Sequence, residues 1–222
     1  MLSLPHKSRV TGAAAVLVLA VSFPLIAAAQ ASSSPFPGLE LVKSQEVDKL
    51  YRRPDVDVSG YQKILIGEPV VEFSKNWNPR NYGSFGFSAA QLKKIRVDLA
   101  DLAKSTFAKV LGEGGYEIVT EAGDGVLEIV PSIVNLYISA PDTQTAGRAR
   151  TYAMDAGSMT LALRVSDSVT GTLLAVAYDQ KRGSSTGRLQ WTSSVSNGAA
   201  ANRILTGWAQ QLKRELDAAR AK

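Results

Sequence analysis

SMTLALRVSDSVTGTLLAVAYDQK, residues 158–181, is the stretch whose reading decides the fold. Met159, Leu161, Leu163 and Val165 alternate with Thr160, Arg164 and Ser166, the period of a strand buried on one side. Asp167-Ser168-Val169-Thr170-Gly171 then supplies turn residues, and residues 172–181 return as a second strand. The segment is therefore a β-hairpin.

Upstream, residues 126–139 read as a long strand whose alternation slips at Pro131, where a bulge is expected. Residues 116–120 form a short strand, and Gly123-Asp124-Gly125 turns the chain into the next one. Residues 61–73 (YQKILIGEPVVEF) read as one strand, with Ile64 and Ile66 on one side and Pro69 marking an edge or bulge. Between them, Ser88-Ala89-Ala90-Gln91 fits a capping box. Leu92, Ile95, Leu99, Leu102, Phe107 and Val110 follow at helical spacing, and Gly112, Gly114 and Gly115 stop the helix. Downstream, a Gly/Ser/Thr-rich loop over 182–196 leads to a last helix over 199–219, striped by Ile204, Leu205, Trp208, Leu212 and Leu216.

Each clean strand has one apolar side and each helix one apolar stripe. The expected fold is α+β: a two-layer sandwich, with a mainly antiparallel sheet of about five strands and two helices packed on one face. The first strand, first helix and second strand would make the crossover unit.

Residues 1–31 are organised differently. Lys7 and Arg9 precede a mostly apolar stretch over 10–29, which ends in Ala29-Gln30-Ala31, a small-x-small cleavage pattern. This reads as a secretory signal peptide; the alternative is an uncleaved anchor, since roughly 20 apolar residues can span a bilayer. The expected domains are a signal peptide over 1–31, a linker and N-terminal arm over 32–60, and a single α+β domain over 61–222. The expected location is periplasmic or otherwise extracytoplasmic. No Cys stands at the cleavage point to carry a lipid, so no stable membrane anchor is expected after cleavage.

Removing residues 1–31 also removes His6, the sole histidine, and the sequence holds no Cys. Disulfides, thiol nucleophiles, Cys-ligated metals and imidazole bases are thereby excluded from the processed chain. The 23 basic and 20 acidic residues that remain give a charge of +3, too small to point to nucleic acid. No cofactor, metal or nucleic-acid partner is expected.

Three motifs yield to plainer readings. Gly183-Ser184-Ser185-Thr186-Gly187 matches the hydrolase G-x-S-x-G string, but leads into more loop and has no His to serve it. Asp55-Val56-Asp57-Val58-Ser59-Gly60 begins like a calcium loop, but its twelfth position is Ile66. Gly112-Glu113-Gly114-Gly115 follows a helix, whereas a phosphate cradle precedes one. The loop acids Asp124, Asp142, Asp155 and Asp179 leave a carboxylate pair as the surviving catalytic option.

Loop aromatics and arginines are the candidate contact residues. Trp77, Arg80, Tyr82 and Phe85 share one loop, Arg148 and Arg150 a second, and Arg188 and Trp191 a third. Trp, Tyr and Arg are enriched in binding hot spots. The same rings could equally fold over and seal the ends of the core.

Several strings together resemble a known family. They are Pro54-Asp55-Val56-Asp57-Val58-Ser59-Gly60-Tyr61-Gln62-Lys63-Ile64-Leu65-Ile66, the helix from Ser88 leading into Gly115-Tyr116-Glu117-Ile118-Val119, Gly125-Val126-Leu127-Glu128-Ile129, the Asp167–Gly171 turn, and the closing helix with Trp208-Ala209. In order and spacing they resemble the bacterial domain-of-unknown-function family 3313 (DUF3313) over roughly residues 45–219. The resemblance implies an exported envelope protein, of a kind often lipidated, with no established activity. It brings no catalytic residues.

The leading expectation is a non-catalytic binding or assembly domain whose partner is an envelope protein or a glycan. The alternatives are a His-independent hydrolase acting on envelope glycan through loop carboxylates, and a scaffold whose sheet edge near Pro69 pairs with a partner strand. Oligomeric state is left open.

Overall fold

Helix α1, Ala89–Glu113, begins as the capping box requires. The Ser88 hydroxyl accepts from the Gln91 amide at 3.2 Å, and the Gln91 side chain accepts from the Ser88 amide at 2.8 Å. Gly115, at φ 92°, ends the helix in a conformation that glycine adopts without strain. The second helix, α2, runs Ser194–Arg220 and starts earlier than the apolar stripe alone suggests. The computed structural model describes residues 34–54, 56–78, 80, 87–138, 152–153, 157–182, 190–191 and 194–221, with backbone alone for 152–153, 190–191 and 194–197.

The hairpin is present as β8, Ser158–Asp167, and β9, Leu173–Arg182, paired antiparallel. β6, Val126–Tyr137, pairs antiparallel with β8, placing Ile129 opposite Val165 and Ile133 opposite Leu161. The sheet is larger than expected and only partly antiparallel. It has eight strands, and those beyond β6 run parallel to it. These are β3 (Lys63–Ile66), which also pairs parallel with β5 (Glu117–Val119), and β4 (Val71–Phe73). Parallel order follows from the crossover: β4 leads through α1 into β5, so the chain re-enters the sheet in the same direction.

Residues 61–73 thus form two strands rather than one, and β6 has no bulge at Pro131. Pro131 stays in ladder opposite Leu163, and the register shifts at Val134–Tyr137, where Asn135 has φ 53°. The proline acts on the other neighbour. Gly67 N–H donates to the Ile129 carbonyl at 2.9 Å, and Ile133 N–H donates to the Val70 carbonyl at 2.8 Å. Residue 131 points the same way as 129 and 133 but has no N–H to give, so the facing chain breaks between β3 and β4.

The N-terminal arm is part of the sheet. β1, Glu40–Val42, pairs with β2, Lys49–Arg52, and β2 pairs antiparallel with β9. Phe36 packs edge-on to Tyr51, ring centroids 5.2 Å apart, and stacks near Tyr178 at 6.4 Å.

The core lies between one face of the sheet and the two helices. Ile64, Ile129, Ile133, Leu161, Leu163 and Val165 meet Leu99, Ala103, Phe107 and Leu111 of α1 and Leu205, Trp208, Ala209 and Leu216 of α2. No described helix is long and apolar enough to cross a membrane.

Gly157 admits the chain into β8 with φ 92°, and a methyl added there would collide with the Tyr137 carbonyl oxygen. Gly171, also at positive φ, faces open space. Gly157→Ala is expected to lower the urea midpoint by the equivalent of at least about 2 kcal/mol, against about 1 kcal/mol for Gly171→Ala. Equal losses would contradict the close approach at Gly157.

Candidate functional site

The two ends of the sheet are built differently. β3 and β6 start, and β8 finishes, at one end. The connections there include the short runs 114–116 and 168–172. At the other end β4, β6 and β9 finish and β8 starts, and the three longest connections leave from it: 74–88 into α1, 138–157 into β8, and 183–193 into α2.

A polar cluster holds the short-connection end. Arg220, in the last turn of α2, donates to the Tyr61 carbonyl at 3.0 Å and lies 4.2 Å above the Tyr116 ring. Tyr61 donates its hydroxyl to Asp167 at 2.9 Å, and Tyr116 donates to Asp217 at 3.0 Å. Lys213 donates to the other Asp217 oxygen at 2.6 Å. Burial, with the Asp217 hydrogen bond next, pushes the Tyr116 phenol up to about 12. The Lys213 hydrogen bond chiefly holds Asp217 below the usual carboxylate range. In the 168–172 turn, Asp167 accepts from the Thr170 amide at 2.7 Å and from the Val169 amide at 3.1 Å. Its carboxyl is held low, first by the Thr170 amide. Asp57, from the calcium-like string, accepts from the Ser59 amide at 2.8 Å and so shapes its own turn.

At the long-connection end, Trp77 is a sealing ring. It is 7% exposed, stacks on Phe73 with centroids 4.6 Å apart and tilts against Phe87 at 5.3 Å. Its indole N–H donates to the Ile138 carbonyl at 2.9 Å. Arg96 of α1 covers the Phe73 ring from 5.0 Å. The loop after β4 is thereby pinned across the end of β6, and Ser74 N–H donates to the Leu136 carbonyl at 2.9 Å. Arg80, from the same loop, is exposed.

The other two loops meet. β7, Tyr152–Ala153, pairs antiparallel with β10, Gln190–Trp191, and Trp191 stands opposite Tyr152. This ribbon ties the connection that carries Arg148 and Arg150 to the one that carries Arg188 and Trp191. Tyr82, Phe85, Arg148, Arg150 and Arg188 themselves lie outside the described residues, as do Asp142, Asp155 and the Gly183–Gly187 string. Exposed Lys181 and Arg182 close β9 at the same end.

Asp179 is not a loop acid, contrary to expectation. It lies on β9, 2% exposed, opposite Leu161 and on the helix-facing side. One of its oxygens accepts from the Trp208 indole N–H at 2.7 Å and from Lys181 Nζ at 2.9 Å. Period-two counting from Ala175 and Ala177 would have turned it inward, toward the one polar atom on the α2 stripe. Both donors answer the charge, so this carboxylate joins helix to sheet. Among the described residues no group of three His, Cys, Asp or Glu side chains could hold a metal ion.

The family model described as "Protein of unknown function (DUF3313)" matches residues 29–212. The chain belongs to the DUF3313 family. No curated protein matches this DUF3313 chain. Among solved structures it is similar to a PelC dodecamer from Paraburkholderia phytofirmans, at 10% identity and TM-score 0.37, covering 71% of this chain and 94% of that one. It is similar to a DUF4136 family protein from Bacteroides thetaiotaomicron, at 11% identity and TM-score 0.34, covering 79% and 97%. It is also similar to lipoprotein GNA1162 from Neisseria meningitidis, at 14% identity and TM-score 0.29, covering 67% and 98%.

Trp208→Phe removes the neutral donor to a buried carboxylate and is expected to cost about 2–3 kcal/mol in urea unfolding. A double-mutant cycle with Asp179→Leu should return a coupling of at least about 1 kcal/mol; no coupling would contradict the bond. For Tyr116, whose phenol is held protonated in the folded state, stability is full below the unfolded value near 10 and falls as pH rises toward about 12. Melting temperatures over that window should fall less steeply in Tyr116→Phe than in wild type.

Proposed function

We propose that this DUF3313 chain works outside the cytoplasm, as a binding or assembly domain of the bacterial envelope without chemistry of its own. The end of the sheet that carries the long loops meets the partner, an envelope protein or a glycan. The observation that carries this reading is the asymmetry of the two ends. Side chains lock one end, while the three longest connections leave from the other and two of them are joined by the β7–β10 ribbon. Loops held by a rigid scaffold are where proteins place their contacts.

The N-terminal segment, with its basic start, apolar run and Ala29-Gln30-Ala31, supports export. After residue 31 the sequence offers no imidazole or thiol. The one buried carboxylate among the described residues, Asp179, is already bound by Trp208 and Lys181. These features favour contact over catalysis. Trp191 and the arginines Arg148, Arg150 and Arg188 are the proposed contact residues, with Arg80 beside them. Trp77 contributes by holding its loop in place.

A photo-crosslinking residue introduced at Trp191 or Arg150 in living cells should capture an envelope component. The same residue at Val169, 59% exposed in the opposite turn, should capture none. Capture from Val169 alone, or equally from both ends, would overturn the assignment of the surface.

A further inference from the structure

We propose that the uncovered end of β9 takes an acidic extended segment of a partner protein, which adds to the sheet as a strand beside residues 180–182 and displaces the Asp48 side chain. This rests on the reading of the long-loop end as the partner surface. β9 runs Leu173–Arg182, yet β2 pairs with it only over 175–178, where Lys49 faces Tyr178. On that side the last residues of β9 have no strand beside them among the described residues. Before Lys49 the chain turns away toward α2. The Ser44 hydroxyl accepts from the Glu46 and Val47 amides, Val47 packs against the core, and Gln211 donates to the Glu46 carbonyl at 2.8 Å.

Only a side chain returns to this edge. Gln180 N–H donates to the Asp48 carboxylate at 2.8 Å, in the place that a ladder carbonyl would take. Alternate residues of an antiparallel strand turn their backbone groups to the same neighbour, so Arg182, two residues on, presents its N–H and carbonyl on the same side as Gln180. The site thus already holds one carboxylate on a strand edge. It is also basic on both faces. Lys181 lies on the helix-facing side, where it pairs with Asp179, and exposed Arg182 lies on the other, as Lys49 does opposite Tyr178. Acidic side chains on either face of an added strand therefore meet a cation, and the strand's carbonyls replace Asp48 at Gln180. Asp48 is exposed, so it leaves without uncovering the core.

The test uses the full chain in detergent micelles with a fluorescein-labelled peptide of about nine alternating Thr and Glu residues. Anisotropy reads binding, and residue-resolved hydrogen exchange reads the Arg182 N–H. The peptide should bind and slow exchange at Arg182. Asp48→Ala, which frees the Gln180 N–H, should tighten binding about threefold to tenfold. Arg182→Glu should weaken it about tenfold. The same peptide with every amide N-methylated keeps its charge but has no N–H to give, and should bind at least about tenfold more weakly. That comparison changes nothing in the protein, so it stands even where a substitution disturbs folding. Equal binding of the two peptides would overturn the strand site. So would binding of polygalacturonate, an acidic glycan with no strand to add, without binding of the Thr/Glu peptide. Crosslink capture at Trp191 with no peptide binding would overturn the strand site and leave the loop surface standing. Capture confined to Val169 would overturn both.

Discussion

Asp179 is a carboxylate 2% exposed in the middle of a β-layer, and the rest of the structure has to accommodate it. A buried charge left without partners would cost several kcal/mol. Here α2 brings the Trp208 indole N–H to 2.7 Å, and Lys181, two residues along the same strand, reaches it from the half-exposed rim. The bond fixes which turn of α2 lies over β9. That sets Leu205 and Ala209 into the core beside α1, where Thr106 faces Asn202 at 3.4 Å.

The second constraint is β6, which pairs with β8 along one side and with β3 and β4 in turn along the other. Pro131 withholds one N–H from that second side, and the facing chain breaks there. The break lets β3 stay near the locked end while β4 reaches the loop end, where its continuation folds Trp77 across Ile138. One missing donor thus contributes to the difference between the two ends: Arg220, Tyr61 and Tyr116 clamp one, and the other is open to long insertions.

Local features were legible in the residues, and non-local ones were not. The Ser88 capping box, the start and stop of α1 and the 158–181 hairpin depend on neighbours within a few positions, and they appear as read; of the stripe expected on α1, Leu99 and Phe107 are buried, with Ala103, Thr106 and Leu111 beside them. The parallel pairing of β3, β4 and β5 depends on partners some 60 residues away, and three- or four-residue strands carry too little periodicity to reveal it. The β1–β2 arm, of three- and four-residue strands, resembles a lead-in for the same reason. Pro131 stands out in the sequence, but its effect falls on the neighbouring chain, which a single strand's alternation cannot register. Of the proposed contact residues, Trp77 followed the sealing alternative because its ring fits between Phe73 and Phe87. The β7–β10 ribbon, which joins two of the loops, has strands of two residues each, too short to carry any periodicity.

The DUF3313 membership places the chain in a family without an assigned activity, so the functional account stands on the asymmetry of the sheet. Hydrogen–deuterium exchange of residues 32–222, with and without purified envelope fragments, tests it most directly. The account predicts slowed exchange over 139–157 and 183–193 and no change over 167–171. Slowing confined to 112–125 and 167–171, at the clamped end, would contradict it.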